Sequence, residues 1–110
     1  MTIREKKYLV DILNSIYHIE AFTKDLNSFE EYKNNFLIKA GVERHLGIIG
    51  EAVNKFIKES NTNFNNARQI INLRNRLIHS YDNIDDRIIW TIITKHLVLL
   101  KIEVEKKSIE

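Results

Sequence analysis

The chain contains no proline and only three glycines in 110 residues, and this scarcity of helix breakers is the feature that most constrains its fold. Proline inside a helix costs about 3 kcal/mol and glycine about 1 kcal/mol relative to alanine, so long helices can run here without interruption. Ile, Leu, Lys, Glu and Asn are frequent and turn dipeptides are few. We therefore predict helices throughout.

Capping signals and apolar periodicity divide the chain into four predicted helices. Thr2-x-x-Glu5 is a capping box that opens the first helix, and Ser28-x-x-Glu31 opens the second, with a kink near Asn34-Asn35. Asparagine caps helices and tolerates turns, so the Asn-rich segment "NTNFNN" marks the next break. "SYDNIDD" is a turn that ends in an Asp or Asn cap. The predicted helices span about residues 3–25, 29–59, 65–79 and 85–106.

Four helices joined by short connections indicate an all-α, antiparallel up-and-down four-helix bundle. A chain of this length forms one domain, residues 1–110, with a single core. The predicted core comprises Leu9, Ile12, Leu13, Ile16, Ile19, Ala21, Leu46, Ile49, Val53, Phe56, Ile57, Ile70, Ile71, Leu73, Leu77, Ile89, Ile92, Ile93, Leu97, Leu100 and Val104.

Composition excludes several classes of site. The chain has no cysteine, so it has neither a disulfide framework nor a thiolate metal site. Its histidines are scattered without the spacing of a metal motif, and we predict no metal and no cofactor. No apolar run approaches the roughly 18 residues that a membrane span needs, and the first residues lack the apolar region of a signal peptide. We expect a cytoplasmic protein that does not contact a membrane.

The net charge of +2 is too small to identify a partner, but its distribution is informative. No carboxylate occurs between Glu59 and Asp82, while Arg68, Arg74 and Arg76 all lie in that stretch. A locally basic segment attracts phosphate groups, so this part of the chain is a candidate site for nucleic acid.

The segment "RNRLIHSYDN" (residues 74–83) places Arg74, His79 and Tyr81 close together. At about 100° per residue, Arg74 and Tyr81 fall on nearly the same helical face, whereas His79 is rotated away from Arg74. The three residues converge on one phosphate only if the helix ends near Ile78 or His79, or if a second subunit completes the site. The sequence leaves both options open.

A polar stripe follows one face of the predicted second helix at steps of three and four residues, formed by Arg44, Gly47, Glu51 and Asn54. Gly47 and Gly50 lower helix propensity, and such residues usually permit close approach of another backbone, here the third helix. Glu51 could then hold Arg74 or Arg44 in place. The alternative is a solvated Arg–Glu face with small residues for packing.

These two segments carry a resemblance to a known family. Arg74-Asn75-x-x-x-His79-x-Tyr81 resembles the Arg-x4-His-x-Tyr motif of HEPN-domain toxins of the HepT type. The segment "VERHLGIIGEAVNKF" (residues 42–56) resembles the second signature of that group, an IGEA segment on a long helix. The order and spacing of the two segments also match, and the resemblance covers about residues 5–105. The family commonly has Pro or Trp just before its third helix, and "NTNFNN" has neither.

The resemblance implies a metal-independent ribonuclease, either an endoribonuclease or a tRNA-processing enzyme, that acts as the toxin of a two-gene toxin–antitoxin system. It implies Arg74 and His79 as the catalytic pair, with Asn75, Arg44 and Glu51 in supporting or substrate-binding roles. Its partners would be RNA, with tRNA as one candidate, a second copy of the chain in a homodimer, and an MntA-type nucleotidyltransferase antitoxin. That transferase would place AMP on Tyr81.

The residue types suit this chemistry. A histidine with a pKa near ~6.5 takes a proton from a 2′-hydroxyl or delivers one to the leaving 5′-oxygen. The planar guanidinium of Arg74 binds phosphate through two parallel hydrogen bonds. The alternatives are a capping role for His79, surface positions for Arg74 and Arg76, and an interface role for Tyr81.

Three other functions compete with the nuclease. They are a non-enzymatic regulatory partner of a nucleotidyltransferase, a nucleotide-binding accessory domain and a structural dimer. The presence of both Arg74 and His79 favours the nuclease, because a passive substrate of the transferase needs only its tyrosine. The histidines outside the motif, His18, His45 and His96, are interpreted as structural.

Overall fold

A computed structural model describes residues 1–79 and 84–109, without the side chains of residues 78 and 79. Within these ranges every regular element is helical, which confirms the predicted all-α class. None of the described helices combines the length and the apolar character needed to cross a membrane. The elements are α1 (Ile3–Thr23), α2 (Phe29–Lys33), α3 (Phe36–Ser60), α4 (Arg68–His79), α5 (Asp86–Thr91), a π-helical turn (Ile92–His96) and α6 (Leu97–Ser108).

The helices enclose one core. α1 packs most extensively on α3 and also on α6, α3 packs on α4, and α5 with the π-helical turn closes the bundle against α2 and α4. The apolar residues predicted for the core are buried or packed against it, except Ala21, which is exposed. That prediction was wrong because nine residues of α-helix turn Ala21 about half a revolution away from Ile12.

The second predicted helix is two helices. Ser28 caps α2 by accepting a hydrogen bond from the Glu31 amide, and Asn34 ends that helix. Asn35 is extended, and its side chain accepts from the Ile38 amide at 2.9 Å to start α3. The kink predicted near Asn34-Asn35 is therefore a complete break, because Asn35 leaves the helical conformation to cap the next helix.

The loop before α4 is held by a residue distant in sequence. Asn61, with a φ of 56°, closes α3 in the left-handed region. The Glu103 carboxylate accepts the backbone amides of Asn65 at 2.7 Å and Asn66 at 3.1 Å, and the Asn66 side-chain amide as well. These contacts tie the loop to α6. The third helix begins at Arg68, not near residue 65 as predicted.

The fourth predicted helix is interrupted by the π-helical turn. Asp85 caps α5 as expected, with its carboxylate accepting from the Arg87 amide at 2.9 Å. The Leu97 amide then donates to the carbonyl of Ile92, five residues earlier. This wider turn lets Ile92 and Leu97 both reach the core, whereas in a regular α-helix five residues would rotate them apart.

Candidate active site

Helices α3 and α4 meet in close contact at Gly50. A Cβ atom placed on Gly50 would lie 2.5 Å from Arg74 Cβ, 2.9 Å from Arg74 Cγ and 3.3 Å from the carbonyl oxygen of Ile70. No side chain fits in that space. The predicted approach of the third helix to this glycine is confirmed, and the base of the Arg74 side chain is fixed against α3.

Three of the predicted site residues, Arg44, Glu51 and Arg74, line one cleft between α3 and α4. The cleft has a volume of about 420 Å³, and its remaining lining residues are Glu43, Gly47, Ile48 and Leu77. A Cβ atom on Gly47 would meet no described atom within 4 Å. Gly50 therefore brings the two helices together, while Gly47 faces the open space beside them.

Glu51 does not hold either arginine. Its carboxylate forms an ion pair with Lys55, one turn along α3, at 3.1 Å, and both side chains are about half exposed. The expectation that Glu51 positions Arg74 or Arg44 is therefore wrong. The alternative interpretation of a solvated face fits Glu51, because a neighbouring lysine on the same helix lies closer to it than either arginine does.

The remaining motif residues are only partly within the described structure. Asn75 is exposed on α4 and does not line the cleft. Helix α4 includes the backbone of His79, but the side chain of His79 and all of Tyr81 lie outside the described residues. The convergence of Arg74, His79 and Tyr81 stays a prediction.

Glu43 is a cleft residue that the sequence analysis did not identify. Burial, and then the nearby charge of Asp86, raise the pKa of Glu43, while Lys39 opposes the shift. Lys39 and Asp86 form an ion pair at 2.9 Å. Glu43 precedes Gly47 by four residues on α3, so extending the polar stripe by one turn would have found it.

The buried phenol of Tyr32 lies in the electrostatic environment of Glu43. Its hydroxyl has no hydrogen-bond partner among the described residues. Burial, followed by the charges of Glu43 and Asp86, raises the pKa of Tyr32 far above its ordinary value, so the phenol stays neutral.

The cleft thus combines two kinds of chemical group. Arg44 and Arg74 supply permanent positive charge and planar arrays of N–H donors, which suit a phosphate. Glu43 supplies a carboxyl whose raised pKa makes it a better proton donor near neutral pH than an ordinary glutamate. Such a set can bind a phosphodiester and exchange a proton with it.

His18 and His45 have structural surroundings, as predicted. His45 Nδ1 lies 3.0 Å from the hydroxyl of buried Ser15, and the His18 ring lies 4.8 Å from the His45 ring. Burial, then the charges of His18 and Arg44, lower the pKa of His45. In the described part of the chain, no three His, Asp or Glu side chains come together as ligands for a metal ion.

The chain matches known proteins over nearly its whole length. The family model described as Ribonuclease HepT-like matches residues 12–106, which include both the glycine-bearing stretch of α3 and the α4 motif. The chain is 38% identical over 102 residues to "Putative RNase MJ1380" of Methanocaldococcus jannaschii, covering 91% of this chain and 93% of that protein. It is 36% identical over 103 residues to "Putative RNase MJ0125" of the same organism, covering 92% and 88%.

A third relative comes from another organism. The chain is 32% identical over 103 residues to "Probable ribonuclease HepT" of Thermococcus cleftensis, covering 92% of this chain and 93% of that protein. No solved structure matches the chain. The family match covers far more than half of the residues, and the relatives align along almost their full length. The chain therefore belongs to the HepT-like ribonuclease family.

Proposed function

We propose that this protein is a metal-independent ribonuclease that cleaves RNA with Arg74 and His79 and serves as the toxin of a toxin–antitoxin pair. The observation that carries the proposal is the cleft between α3 and α4, where Arg74 and Arg44 face a space large enough for a phosphodiester. The family match supports the reaction class, since the family is one of ribonucleases.

In this mechanism Arg74 binds the scissile phosphate and stabilises the negative charge that builds on it. Gly50 sets the position of Arg74, because the close approach of α3 leaves the base of that side chain little freedom. His79 takes the proton from the 2′-hydroxyl or delivers one to the leaving 5′-oxygen. Arg44 binds a phosphate oxygen from the opposite wall of the cleft.

The acting unit in this proposal is a two-fold homodimer. One histidine per chain must be matched by a second proton-transfer group, because strand cleavage needs both a base and an acid. Two copies of Arg74 and His79 bordering a shared cleft supply both groups. Glu43 is the candidate for a supporting acid within one protomer.

Control of the toxin is proposed to come from a small nucleotidyltransferase that transfers AMP to Tyr81. Tyr81 follows His79 by two residues, so a nucleotide attached there would lie beside the catalytic pair. Its phosphate would pair with Arg74 in place of the RNA phosphate and block the cleft by charge and volume.

The experiment that tests the nuclease is RNA cleavage by purified wild type, Arg74→Ala and His79→Ala, each with and without EDTA. We expect both variants to lose at least about 100-fold in rate, in keeping with removal of a proton-transfer or charge-stabilising group, with an unchanged helical circular dichroism spectrum. Arg68→Ala is the matched control, since Arg68 lies on the same helix outside the cleft.

Full activity in either catalytic variant, or strict dependence on added magnesium, would overturn this mechanism. A folded wild type that binds a nucleotidyltransferase but never cleaves RNA would instead favour the regulatory role.

A further inference from the structure

A second cleft, of about 400 Å³, lies where α4 faces α5 and the π-helical turn. Its lining includes the guanidinium groups of Arg76 from α4 and Arg87 from α5, and the imidazole of His96 at the end of the π-helical turn. Among the described residues that line it there is no carboxylate. This electrostatic character suits a ligand that carries phosphate.

The rest of the lining is suited to a flat, partly polar ring. Gln69 and Asn72 contribute side-chain amides that can both donate and accept hydrogen bonds. Leu73, Ile88 and Ile92 give an apolar wall, and Ile88 is still 39% exposed although it is a large aliphatic residue. An apolar wall with a few amides beside two guanidinium groups matches a nucleotide, whose base and phosphate need these two environments.

The arginine on α5 is already held in place. Arg87 Cζ lies 5.5 Å from the centre of the Phe29 ring, in a cation–π contact that links α5 to α2. A cation–π contact leaves the N–H donors of a guanidinium available for hydrogen bonds. The contact fixes the side chain without using its hydrogen-bonding capacity, which lowers the entropy lost when a phosphate binds.

The second cleft adjoins the catalytic end of α4. Asn72 and Arg76 are four residues apart, and position 79 lies seven residues beyond Asn72, close to two turns of helix. These positions therefore follow one row along α4. Arg74 is two residues from Arg76, which is about 200° around the helix, so the two clefts open on different sides of α4 and a strand that reaches both must pass around the helix.

We propose that this second cleft binds a nucleotide of single-stranded RNA away from the cleaved bond, with Arg76 and Arg87 on phosphate oxygens and the base against the apolar wall. The assignment of RNA as the ligand rests on the proposed function. The cleft gives the enzyme a way to select unpaired RNA, because a base must leave its helix to enter it.

The test is binding of a fluorescent hexaribonucleotide with 2′-O-methyl sugars, which cannot be cleaved by attack of a 2′-hydroxyl, measured by anisotropy over a series of salt concentrations. Arg76→Ala and Arg87→Ala should each weaken binding about 5- to 10-fold and reduce the salt slope by about 0.7, the value for one phosphate contact on a single strand. Lys106→Ala removes an exposed charge on α6 that lines neither cleft, and it should change binding less than 2-fold. Arg76→Lys should recover part of the lost affinity, since lysine restores the positive charge but not the paired N–H donors of the guanidinium.

Two further measurements identify what occupies the cleft. The hexaribonucleotide should bind more tightly than inorganic polyphosphate of equal charge, and equal binding would mean a basic surface only and overturn the proposal. The second measurement is the mass of the Arg76 and Arg87 variants by light scattering. A change in mass without any effect on RNA binding would assign the cleft to contact between copies of the chain and would also overturn the proposal.

This binding test is independent of the nuclease test because the 2′-O-methyl hexaribonucleotide cannot be cleaved. Weakened binding in the variants together with no cleavage by wild type would support the second cleft and refute the nuclease. Normal cleavage by wild type with unchanged binding in Arg76→Ala and Arg87→Ala would refute the second cleft alone.

Discussion

Gly50 and Arg74 occupy facing positions on α3 and α4 with no room for a methyl group between them. The atoms that a Cβ would strike are Cβ and Cγ of Arg74, at the rigid base of the side chain rather than at its flexible end. The two helices can accept a larger residue only by moving apart. The proposed phosphate-binding residue and the packing of the bundle are therefore coupled at this point.

Gly50→Ala should lower both stability and nuclease activity. Overpacking costs about 1–3 kcal/mol, which outweighs the roughly 1 kcal/mol that alanine gains in helix propensity, so a net loss of about 1 kcal/mol is expected from urea unfolding. The control is Gly47→Ala, where the added Cβ meets no described atom within 4 Å and should stabilise the helix. Equal stability of the two variants would contradict the close approach.

Glu43→Gln should change how stability depends on pH. Burial raises the pKa of Glu43 above its value in the unfolded chain, so the protonated carboxyl favours folding. That contribution is complete below the unfolded pKa and is lost as pH rises through the folded pKa. Because glutamine does not ionise, the melting temperature of the variant should rise relative to that of wild type as pH increases above the unfolded glutamate pKa of about 4.3.

The control for this measurement is Glu105→Gln, which replaces an exposed carboxylate on α6. A constant difference between Glu43→Gln and wild type across the pH range would show that Glu43 titrates as an exposed group. If Glu43 also assists cleavage as an acid, the variant loses rate mainly on the acidic side of the wild-type pH profile, where the wild-type carboxyl is protonated, and the two rates converge as pH rises.

Light scattering at micromolar concentration should give the mass of two chains, about twice 13.0 kDa. We expect a dimer because the proposed cleavage needs two proton-transfer groups, and the motif of one chain supplies a single histidine. A fully active monomer would contradict the shared cleft. Activity that falls on dilution in step with the mass would support it.

Tyr81→Phe should yield a folded protein that a nucleotidyltransferase and ATP cannot silence. Phenylalanine keeps the ring and removes the oxygen that would accept AMP. Mass spectrometry of the co-expressed wild-type pair should locate AMP additions on the peptide that contains Tyr81. Additions on another peptide, or inactivation of the Tyr81→Phe protein by the same partner, would refute this regulation.

Local signals in the sequence predicted the features that depend on neighbouring residues. The Thr2–Glu5 capping box, the Asp85 cap and the glycine approach at Gly50 were all found as expected. The two caps depend on residues a few positions apart, and the close approach at Gly50 depends on the absence of a side chain there. Arg44 and Arg74 were both named as site residues from the sequence, and the structure places them in one cleft.

Features that depend on distant residues were not predicted. The loop before α4 is held by Glu103, which lies 38 residues from Asn65. Glu51 pairs with Lys55 instead of an arginine, a choice that depends on side-chain directions that spacing alone does not determine. The raised pKa of Glu43 depends on burial and on Asp86, which comes from another helix.

The π-helical turn means that the chain carries one residue more than a plain α-helix would need between Ile92 and Leu97. If the turn relaxed to α-helical geometry at its present length, His96, Leu99 and Glu103 would rotate inward, and Glu103 would be pulled from the loop that it holds. Removing one residue, such as Thr94, would instead leave Leu97 and all that follows in register. A chain that lacked one residue of this turn would therefore keep the packing of every residue that follows it.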